Sequence, residues 1–386
     1  MSETAATTRV LSLARSLLAK GGALESTNEG EKIDRQQIAE ALENRILSDA
    51  GMSNALPPSL TAKAAAAEAL ANAENALNKT ASGTSPSNLT DLEVASLEAI
   101  IEVTGRPAMR YSNGKVQTPP SALGENGRWQ VLIVTTRHKI NSASASVGCL
   151  AITSNSGIAE AIGTGWRTGT DLIVTNRHVA IKMVTNPDAS PSTWKIDVAK
   201  QPFIDFAVTD DAAAPQRFEI AELIYVANEP PLDLSFLRIA STTTPLPNAL
   251  KLEWERESLG RDLPGPNGSQ PIFQGREIYV VGHPYRQRHS ELVASVFGVA
   301  DGRKRWSPGL VKRIDDPNFV LEHDCSTLGG NSGSCVFTAD GHEVIGIHIG
   351  GAEVDEATAK GSANLAMAWS QLNTHPAARI LRTGKL

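Results

Sequence analysis

From about Trp129 onward the chain breaks into short β-branched runs, and no other feature constrains its fold as strongly. Val131–Thr135, Leu172–Thr175, Ile220–Val226, Leu234–Ile239, Ile278–Val281 and Val344–Ile349 are apolar stretches bounded by Gly, Pro, Asn or Asp. β-Branched side chains lose rotamer freedom in a helix and pack well on a pleated surface, so such runs between turn residues predict strands. They do not alternate with helical patterns. That argues against a doubly wound β-α sheet and predicts an antiparallel barrel or sandwich. No internal repeat of fixed period is present. From about Ser370 to Leu381 the pattern turns helical again.

The first hundred residues have a different texture. Val10, Leu11, Leu13, Ala14, Leu17 and Leu18 make a short amphipathic stripe that Gly21 and Gly22 end. Asp34 is placed to cap a second helix, with Gln37 in capping-box position. Ile38, Leu42, Ile46 and Leu47 follow at helical spacing, and Gly51 is expected to stop it. An alanine-rich helix from Thr61 to Asn78 has high intrinsic propensity but small side chains to bury. Thr80–Ser87 reads as a flexible linker. In a fourth helix Thr90 and Glu93 form a capping box ahead of Leu92, Val94, Leu97, Ile100, Ile101 and Val103. Gly105 comes next as the C′ residue, and Pro107 prevents continuation. The expected organisation is a helical unit at 1–105, a linker at 106–128 and a β-rich domain with a C-terminal helix at 129–386. Periodicity leaves two roles open for the helices: packing on the β-rich domain, or regulating it and recruiting a partner.

With 386 residues, 41% hydrophobic and 20% charged, the chain is long enough for two or three domains and a large core. Lys+Arg 36 against Asp+Glu 42 gives a net charge of −6, which speaks against a general nucleic-acid binder. No stretch approaches the ~18 apolar residues of a membrane span. Met1–Lys20 lacks the basic start, apolar run and small-residue cleavage site of a signal peptide. Cys149, Cys325 and Cys335 are too few for a disulfide framework and read as buried free thiols. No CxxC or HxxxH spacing supports a structural metal, and no cofactor is expected. A reducing cytoplasm is the simplest compartment for such a chain.

Three segments within the β region carry chemistry: Gly163–Ala180, Pro230–Ala240 and Asp324–Phe337. They supply a histidine, an aspartate and a serine in that order. Acyl transfer to water needs a nucleophile, a base that titrates near neutrality, a carboxylate to orient the base, and N–H donors aimed at the oxyanion. Ser332 lies in a Gly-rich loop, and the N–H groups of Gly330 and Ser332 are natural oxyanion donors. His178 follows the apolar run Leu172–Val174 beside polar Asn176 and Arg177, a position suited to a cleft. Asp233 opens an apolar strand, where a carboxylate is partly buried and therefore partnered. Asp205, Asp210 and Asp211 are rival carboxylates, and Asp233 is preferred over them. Each segment alone has an ordinary reading: a Gly/Ser turn, a surface histidine, a turn aspartate. The set is far more specific.

These segments resemble the chymotrypsin-like serine peptidases, and most closely the bacterial branch that includes the glutamyl endopeptidases. The resemblance is carried by GTGW at Gly163–Trp166, TNRHV at Thr175–Val179, DLSFLRI at Asp233–Ile239, VVGHP at Val280–Pro284, STLGGNSGS at Ser326–Ser334 and VIGIHIGG at Val344–Gly351. It covers about two thirds of the chain, from Trp129 onward, and leaves out the first ~105 residues. It implies an all-β fold of two six-stranded barrels, preceded here by the small α-helical domain. It also implies His178 as general base, Asp233 as its orienter and Ser332 as nucleophile, acting on protein or peptide substrates. Trypsin-type members carry an aspartate just before the nucleophile that pairs with a newly cut N-terminus. Asn331 stands there in this chain and has no charge to pair, so that zymogen switch is not expected.

The same resemblance places the primary specificity pocket at Ser326, Thr327, His348 and Gly350. Ser326 stands where trypsin has its pocket aspartate, which removes support for a Lys or Arg preference. His348 and Thr327 match the residues that contact the substrate carboxylate in glutamyl endopeptidases, which implies cleavage after acidic residues, unless His348 is an ordinary barrel histidine. By analogy, an intracellular peptidase with attached helices is an effector recruited or gated by a bacterial signalling or defence complex. A non-catalytic interaction scaffold on the same fold is the alternative, and a serine esterase a third. No nucleic-acid or membrane partner is implied.

Overall fold

The computed structural model describes residues 11, 14, 35–48, 50–54, 56–85, 88–153, 157–209, 214–227, 232–253, 275–285, 302–315, 320–327, 330–351, 364–372 and 375–383. Most of the expected first helix and its Gly21–Gly22 stop, together with the Asp34 cap, lie outside these residues. Leu11 and Ala14 are helical and buried.

Helices α1 (Arg35–Ser48), α2 (Ala50–Asn54), α3 (Ala62–Ala81) and α4 (Asp91–Thr104) form the helical unit. Gly51 does not end the second helix as expected. That helix stops at Ser48, and Gly51 sits inside the extra turn α2, which brings Met52 into the core. The alanines of α3 have a use that propensity does not reveal. Ala62, Ala65, Ala66, Ala69, Ala73 and Ala76 face Ile38, Leu42 and Ile46 of α1 and Leu97, Ile100 and Ile101 of α4 in one apolar cluster. Small side chains there let the helix axes approach closely. The capping box at Thr90 and Glu93 forms as read, and Glu93 also holds Lys79 and Asn75 at 2.7 Å each.

The chain then enters a hairpin, β1 (Met109–Ser112) and β2 (Lys115–Val116), followed by helix α5 (Asn126–Ser144). Val131–Thr135, expected as a strand, is the middle of α5. Trp129, Ile133 and Ile140 lie on one helical face and are buried, while Val131 and Val134 are 63% and 70% exposed. A short apolar β-branched run fits strand or helix, and here packing of the buried face decided against local propensity.

Two closed antiparallel barrels come next. The first comprises β3 (Val147–Thr153), β4 (Ala159–Thr168), β5 (Leu172–Thr175), then the short helix α6 (Arg177–Ala180), β6 (Phe203–Asp205), β7 (Arg217–Val226) and β8 (Ser235–Ile239). Its strands close in the order β3-β4-β5-β8-β7-β6. The second comprises β9 (Glu277–Gly282), β10 (Arg305–Asp315), β11 (Val320–His323), β12 (Cys335–Thr338), β13 (Val344–Gly351) and β14 (Asn364–Ala368). It closes in the order β9-β10-β11-β14-β13-β12, with the β1-β2 hairpin added to β10. This is the two-barrel architecture the resemblance implies. A 3-10 turn (Trp369–Leu372) and α7 (Pro376–Thr383) end the described chain.

Alternation explains why the strands read as continuous apolar runs. Ile173 and Leu237 point into the first barrel, whereas Leu172, Val174 and Phe236 join the core outside it. Ile278, Val280 and Val336 fill the second barrel, whereas Tyr279, Val281, Cys335 and Phe337 face that shared core. Both faces are covered, so both must be apolar. Trp129, Trp166, Trp306 and Trp369 are fully buried in this shared core, Trp166 and Trp369 with ring centres 5.8 Å apart.

The helical unit is joined to the barrels through its last turn. An α-helix leaves its last four carbonyls without intrahelical partners. In α4 all four are taken up. Ile101 O accepts from Gly105 and Arg106, Glu102 O and Val103 O accept from the Asn126 side chain, and Thr104 O accepts from the Glu125 N–H. Trp129 Nε1 then donates to Gly105 O at 2.8 Å. Arg106 is buried and grips Asp324 of the second barrel through Nε at 2.7 Å and Nη2 at 2.8 Å, and it pairs with Glu125 as well.

Burial works to raise the Asp324 pKa, but the Arg106 bonds and charge, Lys312 at 3.1 Å and the Leu310 N–H outweigh it and bring it to about 2. Because this lies below the ordinary 3.8, the contribution to stability is whole above that pH and is lost as pH falls toward about 2. We expect about 2 kcal/mol of urea-measured stability to disappear across that window in the native chain. The double variant Arg106→Gln/Asp324→Asn should lack that component of the pH dependence.

Candidate active site

The strand register brings the histidine and the aspartate together. Thr175, the last residue of β5, pairs with Ser235, the first of β8. In an antiparallel pair the residues just beyond one are beside those just before the other, which puts His178 against Asp233. Nδ1 of His178 lies 2.5 Å from Asp233 Oδ2, and Asp233 Oδ1 accepts the His178 backbone N–H at 3.0 Å. The buried Asn176 donates from Nδ2 to the Asp233 carbonyl at 2.9 Å. One carboxylate thus fixes both the main chain and the ring of the histidine. An ionised carboxylate only accepts, so a neutral ring paired with it carries its proton on Nδ1 and its lone pair on Nε2. The aspartate side chain is 20% exposed and the histidine 46%, a partnered carboxylate behind an imidazole open to solvent.

Ser332 arrives from the second barrel, on the loop between β11 and β12. Its carbonyl accepts the Thr164 N–H of β4 at 2.9 Å. Gly163 lies between this loop and α6. A Cβ there would meet Val179 at 2.7 Å and the Ser332 carbonyl at 3.3 Å, so the absent side chain is what lets the two approach. Among the described residues the side-chain hydrogen bond of His178 runs to Asp233, and none joins it to Ser332.

The loop conformation depends on glycine at two positions. Gly330 has φ +106°, and a Cβ would fall 2.3 Å from the Tyr285 ring; Gly333 has φ +87°, and a Cβ would fall 2.1 Å from Thr164 O. Among the described residues the N–H groups of Gly330 and Ser332 donate to nothing. Asn331 is buried beside Gly282, whose Cβ would overlap its Oδ1 at 2.3 Å.

Thr164 ties the loop to both barrels, a role that its residue type and position in the chain do not announce. Its Oγ1 donates to Gly330 O at 3.0 Å and accepts the His283 N–H at 3.0 Å, while its carbonyl accepts from Thr175 Oγ1 at 2.8 Å. His283 is buried, with Nδ1 2.8 Å from Gly302 O, and burial with the Lys304 charge pushes its pKa down to about 3. It is therefore a neutral, structural imidazole. Thr164 and His283 stand in the GTGW and VVGHP strings, but nothing in those strings singles out their side chains.

Of the expected pocket residues, Thr327 and His348 are buried, and Ser326 and Gly350 are half-buried. Ser326 Oγ donates to the Arg106 carbonyl at 2.6 Å. The His348 ring is backed by His323, with His323 Nε2 3.3 Å from His348 Nδ1 and the rings T-shaped at 5.4 Å. The rival Asp205 is buried elsewhere in the first barrel, accepting the Ala207 and Gln216 N–H groups and pairing with Arg217. Asp210 and Asp211 lie outside the described residues. Cys149, Cys325 and Cys335 are buried free thiols. Burial pushes the Cys149 pKa up to about 12 and those of Cys325 and Cys335 well above the ordinary value. Among the described residues no group of His, Cys, Asp and Glu side chains is arranged to hold a metal ion, and no helix is long and apolar enough to cross a membrane.

Replacing Thr164 by Val keeps its shape but leaves the Gly330 carbonyl and the His283 N–H without this partner. Each buried orphan costs about 1–3 kcal/mol. We expect Thr164→Val to fold with a lower urea midpoint and to slow serine-directed labelling of the chain.

Residues 163–347 match the family model described as a trypsin-like peptidase domain. That span is just under half of the chain and holds His178, Asp233 and Ser332. Among curated proteins no sequence match is found. The solved structures similar to this one include a serine endoprotease from Yersinia pestis, at 19% identity and TM-score 0.39, covering 64% of this chain and 66% of that one. A protease from M. tuberculosis in its active form is similar at 14% identity and TM-score 0.38, over 66% of this chain and 87% of that one. The chain spans just under two thirds of the length of the first.

Proposed function

We propose that this chain is a serine endopeptidase in which Ser332 attacks the scissile carbonyl, His178 Nε2 takes the hydroxyl proton, and Asp233 stabilises the imidazolium. The observation that carries the reading is the double grip of Asp233 on His178. With the proton on Nδ1, this grip would leave Nε2 as the basic nitrogen, and in this reading it turns the ring toward Ser332. The proton then passes from Nε2 to the leaving amine as the acyl-enzyme forms, and water repeats the cycle. The N–H groups of Gly330 and Ser332 serve the developing oxyanion, and their lack of a described partner supports that role.

Ser326, Thr327, His348 and Gly350 form the primary pocket in this reading, with a preference for acidic side chains. Ser326 commits its proton to the Arg106 carbonyl and presents lone pairs, so the donors for a carboxylate come from Thr327 and His348. The paired imidazoles support this. When His323 Nε2 donates to His348 Nδ1, His348 carries its own proton on Nε2, the tautomer that donates to a substrate carboxylate. Three desolvated free thiols fit a reducing compartment, so we place the activity in the cytoplasm. The helices add a regulatory surface for a protein partner, the arrangement expected of a signalling or defence effector.

A fluorophosphonate probe should label the native chain and not Ser332→Ala. Asp233→Asn should retain binding and lose about 10⁴-fold in kcat. No labelling of the folded native chain would favour the interaction-scaffold reading. Peptides with Glu at the cleavage position should be hydrolysed at least tenfold faster than Phe or Leu equivalents, and His348→Ala should erase the difference. Equal rates on Glu, Phe and Leu would overturn the acidic preference and leave the triad assignment standing.

A further inference from the structure

Arg106 lies in the stretch expected to be a plain linker, yet it is 1% exposed and touches the loop that carries the pocket at two points. Its side chain clamps Asp324 in a two-pronged pair, and its main-chain carbonyl accepts the Ser326 hydroxyl at 2.6 Å. Asp324 and Ser326 are two residues apart, so one residue from outside the barrels holds this loop at both positions. Asn364 Nδ2 holds the Cys325 carbonyl between them at 2.6 Å. The position of Arg106 is itself set by α4, whose Ile101 carbonyl accepts the Arg106 N–H at 2.9 Å. Glu125, at the start of α5, holds the remaining edge of the guanidinium.

We propose that Arg106 is a positioning residue for the primary specificity pocket, coupling the last turn of α4 to the floor residues Asp324–Thr327. This rests on the peptidase reading of the cleft. Arg106 supplies a permanent internal cation to this loop. In this reading the pocket floor is held by contacts within the chain and responds to whatever displaces α4. Lys312 and the Leu310 N–H also hold Asp324, so loss of Arg106 loosens the floor without releasing it. A lysine in its place keeps the charge and loses the fork, which makes it a partial substitute.

The test uses the full chain and two readouts. Hydrogen exchange of segment 324–327 is compared in the native protein, Arg106→Lys, Arg106→Gln and the double variant Arg106→Gln/Asp324→Asn, with segment 172–175 of the first barrel as internal reference. Steady-state kinetics are measured with peptides that carry either a large side chain or Gly at the cleavage position. We expect Arg106→Gln to speed exchange of 324–327 about tenfold or more, leaving 172–175 unchanged. We expect KM for the large-side-chain peptide to rise about tenfold, with the Gly peptide and the rate of fluorophosphonate labelling changed less than about threefold. Arg106→Lys should fall between Arg106→Gln and the native protein. The double variant, which removes both members of the buried pair, should repeat the Arg106→Gln result if that single variant does not fold. Unchanged exchange at 324–327, or equal losses on both peptides, overturns the proposal while the peptidase reading stands. A native chain that neither labels nor cleaves overturns the peptidase reading and the pocket role with it, whatever the exchange shows.

Discussion

A guanidinium buried between two carboxylates is the constraint around which this molecule is assembled. Arg106 joins Asp324 of the second barrel to Glu125 at the head of α5, at the point where the helical unit ends. Removing a charge from water is costly, and the attraction repays the cost only when the geometry is satisfied on every side. Here Arg106 also donates to the Gly105 carbonyl, and Asp324 accepts from Leu310 and Lys312. Such a cluster contributes little net stability over an apolar core of the same shape. It does penalise any arrangement in which the helices dock elsewhere, because that would part the buried Arg106 from the carboxylate that balances it. The saturated carbonyls of α4 act in the same direction through uncharged groups.

The candidate site draws its residues from both barrels. Closed barrels have no free edges, so neighbouring barrels meet through side chains and through the loops that leave the strand ends. The β5-β8 register delivers the His178–Asp233 pair from the first barrel, and the loop before β12 delivers Ser332 from the second. Thr164 spans the junction, with its main chain in β4 bonded to Ser332 and its hydroxyl bonded to both Gly330 and His283. Main chain and side chain of one short, β-branched residue thus tie the loop of the second barrel to β4 of the first.

Much of the fold was legible because local signals and packing agree. The capping box at Thr90 and Glu93, the strands at Leu172–Thr175 and Ile278–Val281, and the buried thiols all follow directly from residue chemistry. The failures share one cause. In Val131–Thr135 and at Gly51, a residue's local preference points one way and a distant apolar surface decides otherwise. The sequence likewise exposed His178 and Asp233, whose types announce chemistry. It hid Thr164, His283, Arg106 and Asp324, whose importance lies in partners up to 218 residues away. A threonine in a strand and an arginine after a helix look ordinary until their partners are known.

The three thiols carry a consequence for chemical selectivity. Electrophiles that modify cysteine react with the thiolate, and burial holds Cys149, Cys325 and Cys335 in the neutral, inaccessible form at physiological pH. Ser332, by contrast, is half-buried, and His178 is open to solvent. The folded chain is thus orthogonal to thiol reagents. Alkylation of any cysteine becomes a reporter of opening: Cys149 of the first barrel, Cys325 and Cys335 of the second, each marking its own part of the molecule.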